Sequence, residues 1–178
     1  MTTPTETPTK PSNPHRLRSW IESILEAALI VLLMFCLCWP IQIHGVSMEP
    51  TLYSGDRVFI SRVLVLAGQI SRGDLIVCKI QENGHTENII KRVIGLPGDE
   101  VAITNHAVYI NGESLIEPYA GMSASSDLHM TLAAGNYFVI GDNLSTSVDS
   151  RELGPIPKKD MVGKVIFRFF PFNQIKLY

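Results

Sequence analysis

A mainly β domain, an antiparallel sheet or barrel behind one N-terminal apolar helix, is the fold class the sequence predicts. Three observations carry it. Short runs rich in Val, Ile, Phe and Tyr recur after residue 44, punctuated by Gly, Pro, Asn or Asp. Two Asn-Gly pairs, 83–84 and 111–112, stand between such runs. They suit two-residue hairpin loops, where both central residues need positive φ. One earlier segment, Ala27 to Trp39, is apolar at every position and shows no polar face. A chain of 178 residues suffices for one such domain plus an appendage.

Taken in chain order, residues 1–19 open MTTPTETPTKPSNP, rich in Thr and Pro, and are expected to form a disordered cytoplasmic tail. Residues 20–43 are expected to form a transmembrane anchor, with Glu22 and Glu26 at its edge and Pro40 and Gln42 near its end. A cleaved leader fits less well, because WPIQIHG lacks a pair of small residues for a cleavage site, and so does a buried core helix, which would usually keep a polar face. Lys10, Arg16 and Arg18 precede the run, and the next cation is Arg57. The positive-inside rule then puts the N-terminus in the cytoplasm and residues 44–178 outside, in a single-pass plasma-membrane protein. Beyond residue 44 strands are expected in DRVFISRVLV, DLIVCKI, TENIIKRVIGL, EVAITN, AVYINGESLI, NYFVIGD and VGKVIFRFF. No helix-period segment of useful length appears there, so the external part reads as closed or sandwiched antiparallel β. Residues 120–131, AGMSASSDLHMT, read as a surface loop.

Composition excludes several classes. Fifteen Lys and Arg against 17 Asp and Glu give a net charge of −2, which speaks against nucleic acid as a partner. Three cysteines are too few for a disulfide framework, and the five histidines show no ligand spacing. No metal and no cofactor is expected.

Three stretches carry possible chemistry. Ser47 lies in GVSMEPTLYSGD, between the apolar run and a segment rich in Gly and Pro. A serine hydroxyl is a weak nucleophile until a base takes its proton. His44 is near in sequence, but no acid is marked to orient its ring. Lys91 lies in NIIKRVIGLPGDEV, sharing one strand face with Ile89 and Val93, while Arg92 points to the other. A lysine there either snorkels outward or is desolvated, and desolvation favours the neutral amine. The third stretch, GDNLSTSVDSRELG, follows the strand YFVI and is dense in hydroxyls and carboxylates.

Together these stretches resemble the type I signal peptidases (leader peptidases), membrane-bound Ser/Lys proteases, in their short single-span form. SMEPTL resembles the nucleophile box, SGDRVFISR and SRGDLIVCK the Gly-Asp strand boxes, IIKRVIGLPGDEV the lysine box, VYINGESLIEPY the hairpin after it, and GDNLSTSVDSRELGPIPKKDMVGKV the last box. The resemblance implies Ser47 as nucleophile and Lys91 as general base of a serine endopeptidase. That enzyme removes signal peptides from exported preproteins with small residues at −3 and −1. It further implies Ser147 as the serine that orients the lysine, Asp149 with Arg92 or Arg151 as a supporting ion pair, and a structural role for Asp142. Gly45 departs from the pattern: some members carry a serine there whose hydroxyl helps bind the oxyanion. That role would pass to backbone N–H groups, chiefly that of Ser47. Segments 42–46 and 88–91 are expected to flank an extended substrate, with Gly45, Met48, Ile89 and Ile90 as substrate-binding residues.

The expected partners are signal-peptide-bearing preproteins, the lipid bilayer and a secretion translocon. Two other readings stand beside this one: a different Ser/Lys protease of related architecture, such as a self-cleaving repressor, and a membrane-tethered β domain without chemistry. VLVLAG (63–68) and FRFFPF (167–172) are apolar enough to be either core strand or interfacial surface.

Overall fold

The computed structural model describes residues 14–82, 84–104, 107–114 and 127–178. It falls into two units, residues 1–36 and 37–178.

Helix α1, Pro14–Leu37, lies in the first unit up to its last residue, which begins the second. Proline is well placed at a helix start, where its missing N–H costs nothing. Pro40 ends the helix from the other side, since the residue before a proline disfavours helical backbone. Two expectations need correction. Residues 14–19, read as part of a disordered tail, are helical; residues 1–13 lie outside the described residues. The span drawn at 20–43 is interrupted: Trp39–Gln42 form strand β1 of the second unit. Among the described residues no helix is long and apolar enough to cross a membrane.

The second unit is antiparallel β, as expected. Its larger sheet contains β1, β2 (Arg57–Ser61), β3 (Leu75–Glu82), β4 (His85–Gly95), β9 (Asn136–Ile140), β10 (Ile156–Pro157), β11 (Met161–Phe170) and β12 (Lys176–Leu177). The order is β1-β2-β11-β3-β4-β9-β10, with β12 beside β11. A smaller sheet runs β7-β6-β5-β8, from β5 (Glu100–Thr104), β6 (Ala107–Ile110), β7 (Glu113–Ser114) and β8 (Leu128–Thr131). The Asn111-Gly112 loop forms, and β3 and β4 pair up to residues 82 and 85, while Asn83 lies outside the described residues. Glu82 pairs with His85 and Ile110 with Glu113, and Asn111 and Gly112 have φ of 53° and 82°. The loop expected at 120–131 is corrected at its end, where Leu128–Thr131 become β8 against β5; residues 120–126 lie outside the described residues.

Alternation along β3 and β4 divides the core. Ile76, Cys78, Val93 and Val139 pack on one face, together with Val65 and Ile70. Leu75 and Val77 pack on the other with Val58, Leu52, Met48 and Ile43. A third cluster, Ile94, Val101, Ile103 and Phe138 among others, includes residues of the small sheet and of β4 and β9. VLVLAG is not strand. Arg62–Leu66 form a short helix, α2, capped by Ser61, whose Oγ accepts from Leu64 N at 3.5 Å. In FRFFPF, Phe167 and Phe169 pack near Phe59, with ring centroids 5.0 and 4.6 Å away, while Phe172 is 76% exposed.

One buried ion pair ties the β2 start to β11: Arg168 Nη1 donates to Asp56 Oδ2 at 2.7 Å. Arg168 also donates to Thr51 O at 3.3 Å, and the Tyr178 hydroxyl donates to the same oxygen at 3.1 Å. Removing one partner of such a pair strands the other charge away from water. Arg168→Met is therefore expected to lower stability by about 3 kcal/mol in urea unfolding of the chain. A loss under about 1 kcal/mol would show that solvent reaches Asp56 in the folded state.

Candidate active site

The turn bearing Ser47 follows β1 and is fixed by its own backbone. Glu49 N donates to Val46 O at 3.2 Å, while Thr51 N and Leu52 N both donate to Met48 O, at 2.8 and 2.9 Å. Gly55 N closes the loop onto Ile43 O at 2.9 Å. Met48 and Leu52 anchor the turn in the core, 2% and 0% exposed, while Ser47 is half-buried at the surface. Gly45 has φ of 87°, a conformation that favours glycine, and a Cβ there would meet nothing within 4 Å. The missing side chain thus reflects backbone conformation rather than lack of room.

Lys91 lies on β4 opposite Ile76 of β3, and it is among the largest fully buried side chains of the described residues. It shares its face with the apolar cluster of Ile76, Cys78 and Val93. Of the two sequence readings, desolvated or snorkelling, the desolvated one holds. Burial pushes the amine below the ordinary lysine value, partly opposed by the Asp149 carboxylate. The neighbouring Cys78 thiol is pushed up to about 12 by its own burial, so it stays protonated and adds no countercharge.

The loop after β9 gathers the rest. Asp149 is wholly buried. Its Oδ2 accepts from Ser147 Oγ at 2.7 Å, Gly141 N at 3.0 Å and Arg151 Nη2 at 3.0 Å, and its Oδ1 accepts from Arg151 Nε at 2.8 Å. Arg151 also binds Leu144 O and Ser147 O, so one guanidinium shapes the whole loop. The alternative the sequence left open for Asp149 is resolved. Its partner is Arg151, whereas Arg92 makes a two-pronged pair with Asp142 at 2.8 and 2.6 Å. Strand parity is the reason: Arg92 and Lys91 point to opposite faces of β4, and Arg92 faces Ile140, two residues before Asp142. Arg92 Nη2 also reaches Thr51 Oγ1 at 3.3 Å.

Two residues bring the loop onto the Ser47 turn, and sequence reasoning did not assign either a role. Asn143 N donates to Ser47 O at 3.0 Å, and Asn143 Nδ2 to Val46 O at 3.1 Å. Gly141 continues β9 beyond Ile140, on the strand edge that faces β4. A Cβ at Gly141 would lie 2.5 Å from Ser147 Cβ and 2.6 Å from Ser47 O, and would also collide with Ser147 Oγ. Gly141 is thus the contact through which the Ser47 turn, the Ser147 loop and the β4–β9 ladder meet. Its signal in the sequence was a glycine at the end of an otherwise clean strand, a position that often marks close backbone approach. Gly141→Ala is expected to lower kcat by about 10²-fold, because displacement on the order of 1 Å is enough to misplace reacting groups. Steady-state kinetics beside a melting curve checks it. Unchanged kcat would mean that Ser147 can retreat at no functional cost.

Among the residues read as substrate-binding, Gly45 is exposed, Ile89 and Ile90 are half-buried, and Met48 lies in the core beneath the turn. Strand β4 pairs with β9 only from Arg92 onward. The edge of residues 85–91 turned away from β3 therefore carries no strand among the described residues. No group of side chains suited to hold a metal occurs among the described residues.

Comparison with known proteins gives a consistent result. Residues 17–170 match the family described as signal peptidase, peptidase S26. The chain is 37% identical over 175 residues to signal peptidase I of Bacillus licheniformis, covering 90% of this chain and 92% of that protein. It is 37% identical over 172 residues to signal peptidase I T of Bacillus subtilis strain 168, covering 88% and 87%. With signal peptidase IB of Staphylococcus aureus the identity is 35% over 180 residues, covering 90% and 93%.

Proposed function

The chain belongs to the signal peptidase family, peptidase S26, and is a serine peptidase that removes signal peptides; from that premise we propose that Ser47 is its nucleophile and Lys91 its general base. The observation that carries this reading is the burial of Lys91 at 2% exposure with its amine shifted toward the neutral form. A charged lysine has no use as a base, and an amine out of water has little reason to stay charged.

In the proposed mechanism neutral Lys91 accepts the Ser47 proton while Oγ attacks the carbonyl carbon at the −1 residue. Ser147 donates its own proton to Asp149, which leaves its oxygen lone pairs to accept from the Lys91 amine and hold it in one rotamer. Asp149 is in turn fixed by Arg151, so the order of support runs Arg151, Asp149, Ser147, Lys91. The Ser47 backbone N–H makes no hydrogen bond among the described residues, and it is the donor we assign to the oxyanion. The protonated lysine then gives its proton to the leaving amine. A water activated by the same lysine hydrolyses the acyl-enzyme.

The substrate is an extended peptide with small residues at −3 and −1. The open edge of β4 ahead of Arg92, with Ile89 and Ile90 on it, supports docking by strand addition against residues 88–91, with segment 42–46 and Gly45 on the other side. Attachment to the membrane is assigned to α1, where Trp20, Ile24 and Leu25 are 65%, 63% and 64% exposed. The catalytic unit then works where exported precursors emerge. The deciding experiment is incubation of the purified chain with a precursor bearing an A-x-A junction. One cut after the second alanine is expected, and it should be missing from the Ser47→Ala protein. A chain that binds precursors without cutting would leave a tethered binding domain as the reading.

A further inference from the structure

We propose that α2 and the segment leading into β11 form a binding site for an anionic phospholipid of the bilayer. The two meet around a cavity of about 360 Å³ lined by Arg62, Leu66, Lys158, Lys159, Met161 and Val162, with Val65 as its remaining wall. Among the described residues three cations line it and no carboxylate does. Lys158 is held in place, its Nζ donating to Leu66 O at 3.3 Å. Arg62 and Lys159 form no ion pair among the described residues, so their charges are available to a ligand.

The apolar side chains at the site define what the ligand must be. Leu66 is 76% exposed and Val63 46% exposed, on the same short helix as Arg62. A bare anion would satisfy the cations and leave Leu66 in water; a neutral apolar ligand would do the reverse. A phosphodiester joined to an acyl chain uses both, with charge on the cations and methylene groups on Leu66 and Val63.

Chain connectivity puts this site at the right end of the sheet. Arg62 follows Ile60 by two residues, and Ile60 pairs with Trp39 of β1. Trp39 closes the apolar run Ala27–Trp39 and is 68% exposed. The end of β2 that launches α2 therefore lies beside the first residue of β1, the exposed Trp39. None of the lining residues belongs to the machinery assigned to cleavage, so the inference goes beyond the proposed reaction.

Calorimetric titration of the full chain in a nonionic detergent tests it. Three probes are used: dihexanoyl-phosphatidylglycerol, dihexanoyl-phosphatidylcholine and inorganic phosphate. Saturable binding of the phosphatidylglycerol is expected, at least about tenfold tighter than either of the others. Loss of two cations in Arg62→Gln/Lys159→Gln is expected to weaken it about thirty-fold, at about 1 kcal/mol per charge near a lipid surface. Leu66→Ser is expected to weaken it about tenfold, and carries the test alone if the double variant does not fold. The proposal is overturned by lack of saturable binding, by equal affinity for the choline lipid, or by equal affinity for phosphate, which would mark an anion site only. Unchanged binding in the variants would overturn it too. Cleavage of a soluble precursor peptide, measured on the same samples, is expected to be unaltered. Failure of lipid binding with cleavage intact therefore leaves the proposed function standing.

Discussion

Ser47→Ala is expected to bring precursor cleavage down by about 10³–10⁶-fold, to what positioning alone supplies, while leaving the fold unchanged. The structural reason for separating the two effects lies in which atoms of Ser47 are used by the fold. Asn143 binds its carbonyl oxygen, and the turn closes through Val46 O and Met48 O. None of these is the side chain, and a half-buried hydroxyl exchanged for hydrogen costs within about 0.5 kcal/mol at an ordinary surface position. The variant should therefore melt with the parent and still bind precursor. Measuring cleavage on a gel and unfolding in urea on one preparation checks both halves. Residual cleavage that scales with enzyme and resists further purification would exclude Ser47 as nucleophile. Inactivity accompanied by a large loss of stability would mean that the hydroxyl holds the turn, and the activity loss would then say nothing about chemistry.

Much of this arrangement was legible in the sequence because it rests on strand parity. Lys91 between Ile89 and Val93 can share only the face those residues share, and the structure buries Lys91 and Val93 there with Ile76 and Cys78, with Ile89 half-buried at the margin. The hairpin at Asn111-Gly112 was legible because positive φ at two adjacent positions selects so few residues. What escaped depends on contacts distant in sequence or on competition between local preferences. VLVL reads as strand from its β-branched residues, yet the Ser61 cap at one end and Gly68, φ 75°, past the other make a single helical turn the better local solution. Trp39–Gln42 look like the end of an apolar helix, but Pro40 forbids that and the β2 edge offers hydrogen bonds. At Gly141 the sequence signals a close approach, but the two neighbours that make it, Ser147 and Ser47, are encoded by no local pattern. The same holds for Thr51, where Arg92, Arg168 and Tyr178 converge from three separate places in the chain.

Lys91→Met is expected to abolish cleavage as Ser47→Ala does, and to make the protein more stable at neutral pH. Methionine fills nearly the same volume, so the core keeps its packing. Asp149 keeps its pair with Arg151 and its bonds from Ser147 and Gly141, so no buried charge is orphaned. What disappears is a group that folding drives toward deprotonation. The sign follows from linkage. The folded-state pKa of Lys91 lies below the ordinary value because of burial, so between the folded and unfolded values the unfolded chain binds more protons. Stability of the parent then rises with pH across that window, and below it the cost of burying the amine is fully present. The variant lacks this cost, so its advantage, about 1 kcal/mol near neutral pH, should shrink as pH climbs toward the ordinary lysine range of about 10.4. Activity of the parent should rise with pH through the same folded-state titration, because only the neutral amine accepts the Ser47 proton. Urea unfolding of both proteins from pH 6 to 10, beside kcat/KM of the parent, checks all three trends. A lysine kept only for structure would give the opposite result, a less stable variant at every pH, and a parent profile flat across this range would remove Lys91 from the reaction.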